Sequence, residues 1–334
     1  MPVFWHFRRV AKRARTRGIC ASDARKCRDK RKPEGVDRMK LTEIMKNGRT
    51  AFTFEIFPPK KDMPIETIYK TLDGLQGLHP DFISVTYGAG GSAADTKTAD
   101  IAEIIEKKYG IASAVHLTCL YNSKEDIDLI CEQLKVRGIE NILALRGDRN
   151  PNAEREVQKD FAHASDLIAY LRTKGDFHIM GACYPEGHME AASLDADIEN
   201  LKKKVDAGAD HLLSQLFFDN DAYFRFLDKA RAAGITVPIE AGIMPCTSKA
   251  SIERMVTMCG ASIPAKFARM MARYEAYPDS IREGGIAYAI DQIIDLVTRG
   301  VDGIHLYTMN NPYVAKRITD AVAPMINPGL IREE

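Results

Sequence analysis

From residue 51 onward, short runs of β-branched and aromatic residues alternate with segments whose apolar positions recur every three or four residues. The runs predict strands at Ala51–Phe57, Asp81–Thr86, Ser113–Thr118, Asn141–Arg146, Phe177–Tyr184, His211–Phe217, Pro238–Ile243 and Gly303–Thr308. Between them, Ile127, Ile130, Cys131 and Leu134 stand at i, i+3, i+4 and i+7, as do Tyr223, Phe226, Leu227 and Ala230, so each set lines one face of a helix. Gly110, Gly138, Gly208, Gly234 and Gly300 fall where such helices should stop, the usual place for a left-handed residue. Eight strands alternating with helices predict the α/β class and, within it, a single-domain (β/α)8 TIM barrel of close to the usual ~250 residues. Extra helical sequence at Pro264–Arg273 and Asp279–Arg299 precedes the last strand. The competing arrangement is an open, doubly wound sheet.

One stretch tests the choice between these two. In "SVTYGAGGSAAD" the residues Gly88 to Ala93 fit G-x-G-x-x-G/A, between a predicted strand and a predicted helix. A dinucleotide fingerprint normally follows the first strand, and an acid about 20 residues later takes the ribose. Here the glycines follow the second strand, and the next strand ends in "VHLTC", with no carboxylate. The glycines are better read as a flexible loop at the active face of a barrel.

Charge divides the chain unevenly. Residues 1–38 hold 13 basic and 4 acidic side chains, and the remainder holds 34 basic and 42 acidic. The body is mildly acidic, which argues against nucleic-acid binding. The basic tail reads as a transit peptide, as an arm for an acidic surface, or as a disordered extension or a start placed too far upstream. The last reading is preferred, because ordered-looking sequence begins at Met39, leaving 39–334 as the barrel domain. No apolar run approaches the length of a membrane span. The seven cysteines are scattered without a C-x-x-C pair, as in a cytoplasmic protein with reduced thiols.

Candidate chemistry collects at the carboxyl ends of the strands: Glu55 in "TFEIFPPK", Thr86, His116 in "HLTC", Arg146-Gly147-Asp148 in "LALRGD", Tyr184 and His188 in "ACYPEGH", Gln215 in "LSQLFFD" and Tyr307 in "HLYTMN". In a barrel these positions ring one mouth. Alternation puts Phe52, Phe54 and Ile56 on one side of their strand and Thr53, Glu55 and Phe57 on the other, toward the interior. A carboxyl group there, among aromatics, has its neutral form favoured by desolvation, as a proton donor requires. Asp197, Asn200 and Lys204 share one helix face, either as ordinary solvated charge or as a cradle for the ribose and pyrophosphate of a cofactor. Metal chemistry is not expected: the histidines lack H-x3-H or H-E-x-x-H spacing, and no G-x-S-x-G elbow occurs.

The motifs "TFEIFPPK", "FISVTYGAGGS", "HLTC", "ILALRGD", "YPEGH", "DIENLKKKVDAGAD", "QLFFD", "GIMP" and "HLYTMN" run in order over nearly all of residues 41–322. Together they resemble the methylenetetrahydrofolate reductase family, in its bacterial catalytic-domain form. The resemblance implies a homo-oligomeric barrel with non-covalent FAD that passes hydride from NADH or NADPH to 5,10-methylenetetrahydrofolate, giving 5-methyltetrahydrofolate for methionine synthesis. It implies that Glu55 is the general acid that opens the methylene bridge. Asp148 lies by flavin and pterin, tuning the first and anchoring the second. Thr86, His116, Arg146, Gly147, Asp148, Tyr184, His188, Asp197, Asn200, Lys203 and Lys204 hold FAD. Gln215 contacts folate, and Tyr307 helps to close the site.

Two positions depart from the resemblance. Lys203 stands where some relatives carry Arg, which turns a bidentate phosphate contact into a point charge. Met255 stands where some place an aromatic on the substrate. With the chain ending soon after the last helix, no regulatory domain sensing S-adenosylmethionine is expected. The competing functions are a pterin-binding barrel methyltransferase without flavin, and a flavin- or folate-binding subunit active only in a larger complex.

Overall fold

The structure, a computed structural model, describes residues 40–327 apart from 47, 60–62, 88–96 and 150–154. The basic tail 1–38 and the glycine loop at 88–91 lie outside the described residues. Eight strands, β1 (Ala51–Ile56), β2 (Phe82–Val85), β3 (Ala112–Thr118), β4 (Asn141–Leu145), β5 (His178–Cys183), β6 (His211–Ser214), β7 (Ile239–Ile243) and β8 (Gly303–Tyr307), are all parallel and close into a barrel in chain order. Closure is made by β1 on β8, with Ala51 opposite Gly303 and Glu55 opposite Tyr307. That decides against the open sheet.

The helices are α1 (Leu41–Met45), α2 (Thr67–Leu75), α3 (Lys97–Tyr109), α4 (Lys124–Arg137), α5 (Ala164–Arg172), α6 (Leu194–Asp206), α7 (Asn220–Ala232), α8 (Lys249–Cys259), α9 (Ala265–Tyr274), α10 (Pro278–Thr298) and α11 (Pro312–Ile326). Local chemistry sets their ends. Ser123 Oγ accepts from Asp126 N at 3.2 Å while Asp126 Oδ2 accepts from Ser123 N at 3.0 Å, a reciprocal cap that starts α4. The five predicted terminating glycines all take positive φ, between 66° and 114°.

The alternation read from β1 holds. Phe52, Phe54 and Ile56 pack outward in one cluster with Ile68 and Leu72 of α2 and Ile318 and Val322 of α11. Thr53 and Glu55 face inward. α1 plugs the amino end of the barrel, its Leu41 and Ile44 clustering with Phe82, Met180 and Leu213. At the other end a smaller core of Leu216, Phe218, Cys246, Ile252, Phe267 and Met271 joins α8–α10 to the rim. Met255 and Tyr307, both part-buried, pack against it.

Candidate active site

Two groups of polar side chains meet at the carboxyl end of the barrel. The first lies on the axis. Glu55 Oε2 stands 3.5 Å from His116 Nε2 and 3.8 Å from His305 Nε2. Imidazoles thus stand beside the carboxyl group, and Tyr307, its neighbour on β8, adds an aromatic ring. Ser84 Oγ lies 3.3 Å from His116 Nε2 and 3.4 Å from His305 Nε2. Burial pushes the His116 imidazole down to about 4, against the opposing pull of Glu55, so this ring is neutral and able to accept or relay a proton. Tyr307 donates its hydroxyl to Ser214 O at 2.8 Å, and burial, reinforced by the charge of Glu55, raises its phenol well above the usual range.

The second group lines a groove between the ends of β4 and β5 and the side of α6. Arg146, Tyr184, His188, Asp197, Asn200, Lys203 and Lys204 surround one cavity of about 220 Å³. The helical spacing of Asp197, Asn200 and Lys204 therefore points at a cavity and not at bulk water. Asp197 is buried; its Oδ2 accepts from His188 N at 3.1 Å, and desolvation raises its pKa in spite of that bond. Lys204 Nζ donates to Ala182 O at 2.8 Å, and burial lowers its pKa. Lys203 Nζ donates to Asn200 Oδ1 at 2.8 Å. The rings of Tyr184 and His188 meet edge to face at 4.7 Å.

Gly147 takes φ +87°, and a Cβ there would meet Thr118 Cβ at 3.1 Å, so the chain turns tightly beside Arg146 with room only for backbone. Arg146 forks onto Glu190, with Nη2 donating to Oε1 at 3.0 Å. Cations, a buried carboxylate, an amide and a bare backbone turn offer the phosphate and sugar partners that a dinucleotide needs.

The remaining predicted residues are distributed around these two groups. His116 faces the axis beside Glu55 rather than lining the groove. Thr86 follows β2, its carbonyl accepting from Thr98 Oγ1 at 3.0 Å. Asp148 is exposed, and its charge helps burial to raise the Tyr184 phenol. Gln215 is turned onto its own chain, Oε1 accepting from Leu216 N at 2.8 Å. Tyr307 lies within electrostatic reach of Tyr184, so groove and axis adjoin. Sequence reasoning missed Ser84, Glu190, Glu240 and His305. Strand alternation was the available signal for the last two, since Glu240 shares a face with Gly242, and His305 with Tyr307.

Among the described residues no group of three or more His, Cys, Asp or Glu could hold a metal ion. No described helix is long and apolar enough to cross a membrane. The five described cysteines, Cys119, Cys131, Cys183, Cys246 and Cys259, are unpaired thiols.

A closed parallel barrel whose ionisable groups gather at the carboxyl ends of its strands defines the class: a TIM-barrel protein with its site where barrel enzymes carry theirs. More narrowly, the chain belongs to the methylenetetrahydrofolate reductase family, whose profile matches residues 40–323. It is 38% identical over 263 residues to the 5,10-methylenetetrahydrofolate reductase of Pectobacterium carotovorum, covering 79% of this chain and 87% of that one. The Escherichia coli K12 protein of the same name is 36% identical over 290 residues, 87% of this chain and 95% of the relative. Against the maize methylenetetrahydrofolate reductase (NADH) 1 the identity is 37% over 307 residues, and this chain spans about half (51%) of that relative. A Clostridium thermocellum protein that binds two copies of 5-methyl-5,6,7,8-tetrahydrofolic acid shares the fold, with a TM-score of 0.60, 16% identity, and coverage of 86% of this chain and 98% of that one.

Proposed function

We propose that the protein is an FAD-dependent reductase that converts 5,10-methylenetetrahydrofolate to 5-methyltetrahydrofolate with NADH or NADPH as reductant. The observation that carries this reading is the adjacency of an inward-facing carboxyl group, Glu55, and a groove of cations, amide and buried carboxylate at one barrel mouth. Family membership over residues 40–323 supports the choice of substrate.

The flavin, when bound, supplies hydride delivery, so the protein's part is to bind, orient and move one proton. Lys203 and Arg146 are the phosphate partners, Asp197 and Asn200 the ribose partners, and Lys204 and Tyr184 the inner wall of the groove. Asp148 at the mouth places a negative charge beside flavin and pterin. Thr86 and His116 flank the junction of axis and groove. Glu55 gives its proton to the nitrogen that leaves the methylene bridge; the C–N bonding pair stays on that nitrogen and a carboxylate remains. The iminium carbon exposed on the substrate then takes the hydride and becomes a methyl group. Gln215 swings from its own backbone to meet the folate, and Tyr307 closes the floor.

The test is direct. The purified protein is expected to be yellow, to bleach on anaerobic addition of NADH or NADPH, and to regain colour with methylenetetrahydrofolate while 5-methyltetrahydrofolate forms. A colourless protein that takes up no added FAD would overturn the reading.

A further inference from the structure

Below the acid, the barrel interior holds charge that the reaction as read above does not use. Glu240 on β7 is completely buried. A buried carboxylate costs several kcal/mol unless partners offset it, so its neighbours decide its state. From β1, Thr53 Oγ1 donates to Glu240 Oε2 at 3.0 Å and lies 2.6 Å from His305 Nδ1. From β8, His305 Nδ1 stands 3.5 Å from the same oxygen. From β6, His211 Nε2 is 4.0 Å from Glu240 Oε1, and neither atom makes a hydrogen bond among the described residues.

His305 faces the other way as well. Its Nε2 lies 3.8 Å from Glu55 Oε2 and 3.4 Å from Ser84 Oγ on β2. His116 on β3 approaches the same Glu55 oxygen, and the rings of Phe82 and Tyr307 pack on His305 at 6.1 and 5.4 Å. One imidazole on the barrel axis is therefore held between two carboxyl groups, one deep and one at the mouth.

Of the interior imidazoles, burial pushes His116 and His178 to about 4 and His211 well below the ordinary range. His305 is as deeply buried, yet its two carboxyl neighbours outweigh that burial and raise it to about 9. That shift favours the imidazolium, whose two ring nitrogens would both donate. Such a charge needs one anion, and either Glu55 or Glu240 can supply it. If Glu55 supplied it, the acid would be ionised and have no proton to give.

We propose that Glu240 is a positioning residue for the acid: it serves as the counter-ion of His305, directly and through the Thr53 hydroxyl, and thereby leaves the Glu55 carboxyl group its proton. The inference rests on Glu55 being the proton donor of the proposed reaction. Without Glu240, the imidazolium draws Glu55 into the ion pair.

The experiment compares wild type, Glu240→Gln and the double variant Glu240→Gln/His305→Asn. In 15N-histidine spectra of the purified protein without folate, His305 should titrate above the ordinary 6.5 in wild type. In Glu240→Gln its midpoint should fall by about one pH unit or more, the usual effect of losing an adjacent opposite charge. In anaerobic stopped flow, the pH at which reoxidation by methylenetetrahydrofolate falls to half its maximum should move lower in Glu240→Gln by about the same amount. Reduction by NADH should stay within a few fold. The double variant, with no cation left to neutralise, should return the pH profile to its wild-type position.

An unmoved His305 titration, an unmoved pH profile, or a double variant that fails to restore it would overturn the proposal. Should Glu240→Gln not fold, the double variant carries the test: a folded protein with the wild-type profile supports the counter-ion, and one as unstable as the single variant refutes it. If the titration moves but folate never reoxidises any of the three proteins, the counter-ion stands and the reductase reading fails.

Discussion

Glu55 occupies the position of β1 where the strand's inward face reaches the mouth, opposite Ser84 on one side and Tyr307 on the other. Only one of the two half-reactions proposed needs a proton from it. Replacing Glu55 with Gln keeps size and polarity and removes the transferable proton, so the folate step should slow by about 10²–10⁴-fold. Reduction by NADH should change by no more than a few fold. Stopped flow at the flavin absorbance separates the two, and an equal loss in both would make Glu55 a support for the fold or the cofactor instead. Glu55 was legible in the sequence because alternation along one strand is enough to turn it inward. His116 was legible as a residue of the same mouth, whereas His305, on a strand far along the chain, was not.

α10 departs from local helix preference. Gly284 and Gly285 sit inside this helix, where each glycine costs about 1 kcal/mol relative to alanine. Packing explains them. A Cβ on Gly285 would stand 1.7 Å from Cys246 O, so α10 crosses the loop after β7 in backbone contact. A Cβ on Gly284 would meet Met270 Sδ at 2.7 Å, the end of a flexible side chain. Gly285→Ala gains the propensity term but forces two backbones apart, and overpacking of about 1–3 kcal/mol or more should win. A net loss of stability is expected in urea unfolding, with Gly284→Ala milder because Met270 can move. A Gly285→Ala protein as stable as wild type would show that the crossing is loose. Helix was expected over Asp279–Arg299, but the reason for the glycine at 285 lies in a segment some forty residues earlier.

For the whole molecule, the buried histidines set opposite limbs of the stability curve. His116 and His178 are lowered from the ordinary 6.5 to about 4 by burial, so the unfolded chain takes up protons that the fold refuses. Their contribution is complete above pH 6.5 and is lost as pH falls toward 4; the shift at His116 corresponds to something on the order of 3 kcal/mol. His305 has the reverse sign. Raised to about 9, it contributes fully below 6.5 and is lost as pH rises through 9. Melting temperature should therefore be highest between these limits, and the Glu240→Gln/His305→Asn variant should lose less stability than wild type between pH 7 and 10. An alkaline limb unchanged in that variant would count against a charged His305.

What the order of residues determined by itself was local: strand or helix from the hydrophobic period, the helix stops at the five glycines, and the side of β1 on which Glu55 lies. A period fixes which way a side chain faces, but not what it will face. That was decided by barrel closure, which pairs β1 with β8 and brings Thr53 to His305 across 252 positions of chain. The register of eight strands decides every such meeting at once, and no window of sequence contains it.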